Sequence, residues 1–116
     1  MQMVDRRQDM SNMDPPAPGS VERAIEVRRL RNHYLGLWAA SRMGFSAEAG
    51  DHCAAEVARD GDVLAGDGML VDRVLGDLEA YSGNTSEKEI WRELRRLDGI
   101  ATLRCGGDPQ PLRRVA

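Results

Sequence analysis

Arg23, Arg28, Arg29 and Arg31 crowd into nine consecutive residues. A guanidinium is a planar, permanently charged fork that matches a phosphate or a carboxylate. The cluster therefore suits a phosphate or an acidic protein surface. It equally suits a solvated helix face, with Glu22 and Glu26 flanking Arg23 and Glu26 reaching Arg29 three residues on. A second group, Asp51-His52-Cys53, sets a thiol beside an imidazole. Consecutive helical residues diverge by about 100°, so the three cannot converge on one ion, which needs three or four converging ligands. A Cys/His nucleophile pair needs hydrogen-bond reach and an electropositive setting. Cys53 lies in an acidic stretch and on an apolar face, so it reads as a small buried hydrophobe. The third group is Asp60, Asp62 and Asp67 among the glycines at 61, 66 and 68. Counted from Asp60 as a calcium loop, Leu64 falls at the fifth position and Val71 at the twelfth, where oxygen ligands are required. No lysine follows these glycines to reach a phosphate, and no G-x-G-x-x-G is present. The expectation is a protein with no catalytic residue, no metal site and no cofactor.

Composition narrows the class. The chain has 116 residues, the length of one domain. Apolar residues make up 41% and aromatics only 4%, so a core must come from Leu, Val, Ala and Met. With 16 basic against 19 acidic residues there is no basic excess of the kind that nucleic-acid binding uses. The longest apolar run, residues 35–40, is six residues, far short of the ~20 that a membrane span needs. The first residues, MQMVDRRQDMSNMDPP, offer no apolar stretch for a secretory signal. Two cysteines are too few for a disulfide scaffold. These features read as a cytoplasmic protein with reduced thiols and no membrane insertion. Charge is segregated: residues 20–44 carry five Arg and two Glu, residues 45–90 carry eleven acids and three bases, and residues 91–116 carry six Arg and three acids. Such segregation can hold segments of one fold together or attract a partner.

Four helices would position these groups. The first is expected over residues 21–43, with Ser20 as N-cap and Gly44 as its stop. Val27, Leu30, Tyr34 and Leu37 form its apolar stripe, widened by Trp38 as a core anchor, with Arg28, Arg29 and Arg31 largely off it. The second is expected over 47–59 behind Ser46, with Ala49, Cys53 and Val57 on one face, followed by a glycine-bearing linker over 60–66. The third is expected over 69–81 with Asp67 as N-cap, its Val71, Val74, Leu75 and Leu78 matching the helical template in full. The fourth opens on Ser86-Glu87-Lys88-Glu89, a capping box, and lines Ile90, Leu94, Leu97 and Ala101 toward the core. The fold class is all-α, a compact four-helix bundle over residues 20–105. Residues 1–19, which close on Asp14-Pro15-Pro16-Ala17-Pro18-Gly19, read as a disordered arm, and residues 106–116 as a flexible tail.

Residues 31–46, RNHYLGLWAASRMGFS, resemble the signature R-N-x-L-L-G-L-W-A-A-x-x-M-G-L-S of the ATPase inhibitor subunit zeta family of alphaproteobacteria. The likeness continues through Cys53-Ala54-Ala55-Glu56-Val57, similar to Y-A-x-E-V, through Gly66-Asp67, through Asp77-Leu78-Glu79-Ala80, and through Ser86 to Ile90. The resemblance implies a four-helix fold and a partner, the catalytic head of the F-type ATP synthase. In that family an N-terminal segment enters between catalytic subunits and blocks hydrolytic rotation, so the inhibitor itself catalyses nothing.

The arm is where this chain departs. The family's arm is a charged amphipathic segment that runs straight into the first helix. Here the prolines at 15, 16 and 18 stand in that place, and Val4-Asp5-Arg6-Arg7-Gln8 is only a faint echo of the arm's start. The expectation is a non-catalytic, zeta-like regulator whose inhibition is weakened or lost, with Arg23, Arg28, Arg29 and Arg31 as the partner-binding residues. The alternative is a paralogue that keeps only the scaffold and binds another protein or a small phosphorylated ligand. Either is expected in the bacterial cytoplasm, peripheral to the inner membrane through its partner.

Overall fold

A computed structural model describes residues 19–81 and 83–106. The arm and tail expected at 1–19 and 106–116 lie outside the described residues, apart from Gly19 and Gly106. Four helices follow in order: α1 Val21–Arg42, α2 Ala47–Val63, α3 Asp67–Tyr81 and α4 Glu87–Arg104, with no strand among the described residues. The all-α, four-helix architecture is the one read from the sequence.

The helix starts follow the capping residues. The Ser20 hydroxyl accepts from the Arg23 backbone N–H at 3.0 Å, and the Ser46 hydroxyl from Ala49 N–H at 3.3 Å. At α4 both halves of the capping box form: Ser86 Oγ accepts from Glu89 N–H at 3.2 Å, and Glu89 Oε1 accepts from Ser86 N–H at 3.1 Å. α1 stops in a Schellman turn: Gly44 at φ 80° lets its N–H reach Ser41 O at 3.1 Å and Phe45 N–H reach Ala40 O at 3.0 Å. Two boundaries differ from expectation. α2 continues through Gly61 to Val63, absorbing half of the expected linker, because Asp60 and Asp62 are held by arginines of α3 and α1. Asp67 is the first residue of α3 rather than its cap, and its carboxylate suits the positive end of the helix dipole.

α1 is the central helix, touching the other three, and its contact with α2 is the most extensive. The two cross antiparallel on small residues. A Cβ placed on Gly36 would stand 2.6 Å from Ala54 Cα, and one on Gly50 would stand 3.6 Å from Ala40 Cβ. Gly36 and Ala40 are thus one turn apart on α1, as Gly50 and Ala54 are on α2. This overturns the expected stripe of α1. The buried face is Arg31, Asn32, Leu35, Gly36, Ala39 and Ala40, while Val27, Leu30, Tyr34 and Leu37 are half-buried at its edges. Close approach needs small side chains at the crossing, so the bulky residues flank it. Ala49 likewise sits outside, and Gly50 and Ala54 take the inner positions with Cys53 and Val57. The core is completed by Leu70, Val71, Val74 and Leu78 of α3 and by Ile90, Leu94, Leu97 and Ala101 of α4. Trp38 packs half-buried against this core, with the Arg42 guanidinium 5.1 Å from its ring centroid. Among the described residues no helix is long and apolar enough to cross a membrane.

Candidate functional site

Of the four arginines singled out in the sequence, Arg23 and Arg31 lie on one side of α1 and Arg29 on the side of α2, with Arg28 between them and lining a cleft on each side. Arg23, Arg28 and Arg31 line one groove of about 420 Å³ that runs from Gly19 and Ser20, at the start of α1, to Asp98 and Thr102 of α4. Arg29 points instead to α2, where its Nε donates to both carboxylate oxygens of Asp62 at 3.2 and 3.3 Å. Glu26 is therefore not the partner of Arg29; it lies 4.0 Å from Arg23 Nε.

Within the groove the three differ in character. Arg31 is only 7% exposed and forms a fork on Asp67, Nη2 to Oδ1 at 2.7 Å and Nη1 to Oδ2 at 3.1 Å. Its Nε donates to Asn32 Oδ1 at 3.0 Å, and Nη1 lies 3.7 Å from Asp98. One guanidinium so ties α1 to the first turn of α3 and to α4. Arg23 is also 7% exposed and lies beside Gly106 at the end of α4. Arg28 is exposed and makes no ion pair among the described residues. Asn32 was not singled out in the sequence, and Asp67 was read as a helix cap rather than as the partner of Arg31. Their signal is an Asn adjoining the arginine and an acid opening a helix.

The other groups do not assemble into a reactive site. Asp60, Asp62 and Asp67 part company: Asp60 accepts from Arg73 Nε at 2.9 Å, Asp62 from Arg29 and Asp67 from Arg31. Arg73 also reaches Asp77 at 2.6 Å. Part of the segregated charge is thus spent on binding helix to helix. His52 is exposed and sits 3.3 Å from Glu56, one turn along. Cys53 is buried, and that burial pushes its thiol pKa up, which keeps it protonated and unreactive. Burial also pushes up the Cys105 thiol, with Glu26 adding to the effect. Among the described residues no cluster of His, Cys, Asp or Glu could hold a metal ion.

What the geometry presents is a small helical body, internally cross-braced by ion pairs, with a part-basic groove beside the start of α1. No curated protein and no solved structure matches the chain. The family model for ATPase inhibitor subunit zeta matches residues 20–103, from the N-cap of α1 to the last turn of α4. That span takes in all four helices and the whole of the cross-braced core, and the chain belongs to the ATPase inhibitor subunit zeta family.

Proposed function

We propose that the protein is a non-catalytic regulator that docks on the catalytic head of the F-type ATP synthase and inhibits ATP hydrolysis weakly or not at all. The observation that carries the docking is the family match across the entire folded body. Arg28, in the groove beside the start of α1, and Arg29 beside it are the side chains that meet the partner. Arg23 and Arg31 shape that groove from within. The location that follows is the cytoplasmic side, peripheral to the membrane through the partner.

The reduced inhibition rests on the arm. A segment that must become helical inside a narrow site is penalised by about 3 kcal/mol for each proline in the helix interior. Residues 15, 16 and 18 are all proline, and the family match begins only after them. Against about 8 kcal/mol for a micromolar complex, two or three such penalties abolish useful binding of the arm.

The test is an ATPase titration of the synthase head with the natural chain and with a chimera carrying a family-type arm before Val21. The expected result is little inhibition by the natural chain and strong inhibition by the chimera. Sub-micromolar inhibition by the natural chain overturns the weakened-arm reading. Failure of both proteins to bind the head in a pull-down overturns the docking itself and favours a scaffold that serves another protein or a small phosphorylated ligand.

A further inference from the structure

The outward side of α4 is a cationic surface with an aromatic edge. Lys88, Arg92 and Arg95 follow one another at spacings of four and three, which places them on one helical face. All three are exposed, and none makes an ion pair among the described residues. That sets them apart from Arg29, Arg31, Arg42, Arg73 and Arg96, each of which is paired. The acids of α4 are engaged by other side chains, although Glu87 stays at the edge of this face. Glu87 accepts from the Trp91 indole at 3.3 Å, Glu89 from Arg42 at 2.9 Å and Glu93 from Arg96, while Asp98 lies toward Arg31.

Trp91 joins this face to a cleft. It is half-buried, and its ring lines two adjoining clefts. One, of about 490 Å³, is walled by Lys88, Arg92 and Arg95 with Glu87. The other, of about 440 Å³, has Leu94 and Trp91 as its apolar wall; in it Arg31 is held between Asp67 and Asp98, and Arg95 is shared with the first cleft. A cleft with an apolar wall beside one with unpaired cations receives a ligand that is apolar at one point and anionic at the next. Arginine and tryptophan are also the side chains that most often anchor protein interfaces.

We propose that this face of α4 is a docking surface for an acidic amphipathic helix of a partner protein. An apolar side chain of that helix seats against Trp91 and Leu94, and carboxylates one turn away meet Arg92 and Arg95 as charge-assisted pairs. Charge argues against the C-terminal end as occupant, and residues 1–18, with a net charge of only -1 and no run of carboxylates at helical spacing, offer a poor complement. Residues 107–116 carry Arg113 and Arg114 against Asp108, and residues 1–18 carry Arg6 and Arg7 against Asp5, Asp9 and Asp14. The surface does not involve Arg28 or Arg29 and stands independently of the function proposed above.

The experiment is an NMR titration of the isotope-labelled full chain with a synthetic amphipathic peptide bearing glutamates along one helical face and leucines along the other. The same peptide with glutamine for every glutamate, and inorganic pyrophosphate, are run alongside. The expected result is saturable movement of the Trp91 indole signal with the glutamate peptide. Affinity should fall about tenfold or more in the Arg92→Ala/Arg95→Ala double variant and stay unchanged in Arg59→Ala, an exposed arginine elsewhere. An unchanged thermal midpoint confirms that the double variant is folded. Equal binding of the glutamine peptide, no response at Trp91, or indifference to the double substitution overturns the proposal. So does pyrophosphate producing the same shifts at lower concentration, which marks a small-anion site. Sedimentation showing that the free chain self-associates through Arg92 and Arg95 overturns it in favour of a second copy. Peptide binding retained alongside failure to bind the synthase head leaves this surface standing and removes only the function proposed earlier.

Discussion

Gly36 of α1 and Ala54 of α2 meet backbone to backbone: a methyl group on Gly36 would intrude to 2.6 Å of the Ala54 Cα and 3.0 Å of the Val57 Cβ. Neither contact is with the far end of a flexible side chain, so the helices themselves must separate to admit it. Gly36→Ala is expected to lower stability by about 2–3 kcal/mol, the upper range for overpacking. Gly99→Ala is the matched control. It lies exposed in the middle of α4 with nothing within 4 Å of an added Cβ, and should raise stability by up to about 1 kcal/mol through helix propensity alone. Urea unfolding of both variants checks the opposite signs.

The Arg31–Asp67 fork predicts an unequal response to removal of either partner. The Arg31 side chain is 8% exposed and that of Asp67 is 41% exposed. Arg31→Ala should cost about 3 kcal/mol, near the range for breaking a buried pair, and Asp67→Asn about 2 kcal/mol because water reaches its side. Arg31→Lys should restore only part of the loss, since one ammonium cannot serve Asn32 and both Asp67 oxygens at once. A double-mutant cycle measures the coupling.

Glu89 gives the fold a pH dependence of known sign. The Ser86 backbone N–H, and after it the Arg42 guanidinium, hold its carboxyl below the ordinary glutamate pKa. A carboxylate depressed in the folded state contributes stability that is fully present above its unfolded pKa and is lost as pH falls through the folded value. Stability is therefore expected to be flat near neutrality with respect to this group and to decline below the ordinary glutamate range. In Glu89→Gln that part of the acid-side decline should be absent when thermal midpoints are recorded against pH.

Trp38→Ala is expected to cost about 2 kcal/mol, below the ~3–5 kcal/mol of a fully buried tryptophan, because the ring is only half-buried. Arg42→Ala should cost about 1 kcal/mol through its contact with the Trp38 face and its pair with Glu89. Chemical denaturation monitored by far-UV circular dichroism, which needs no tryptophan signal, measures both.

The contrast between α4 and α1 shows what was legible in the sequence. α4 has one neighbour-facing stripe of large aliphatics, and Ile90, Leu94, Leu97 and Ala101 are buried where the period put them. Its capping box was equally direct, since both hydrogen bonds are local. α1 touches three helices, so it has no single apolar stripe to read. Its most buried positions include a glycine, an asparagine and two arginines, which hydropathy counts as neutral or polar, and two alanines, whose small side chains add little to an apolar stripe. Arg31 is inside only because Asp67, thirty-six residues on, comes to meet it, and a periodicity argument cannot see that distance. The groove of Arg23, Arg28 and Arg31 was legible as a cluster, whereas the separation of Arg29 from it depends on Asp62 of α2.

The dominance of the α1–α2 contact also bears on how the chain reaches its fold. These helices are joined by a turn of four residues, 43–46, so pairing them closes a short loop at little entropic cost. Contacts between chain neighbours form fast, and the α1–α2 hairpin is expected to be the first structured unit as the chain leaves the ribosome. α4 must then return across the length of the chain to lie against α1. Until α3 and α4 arrive, Arg31 is a solvated cation on the open side of that hairpin. Its capture by Asp67 and Asp98 marks the late step at which a nascent helical pair becomes a closed domain.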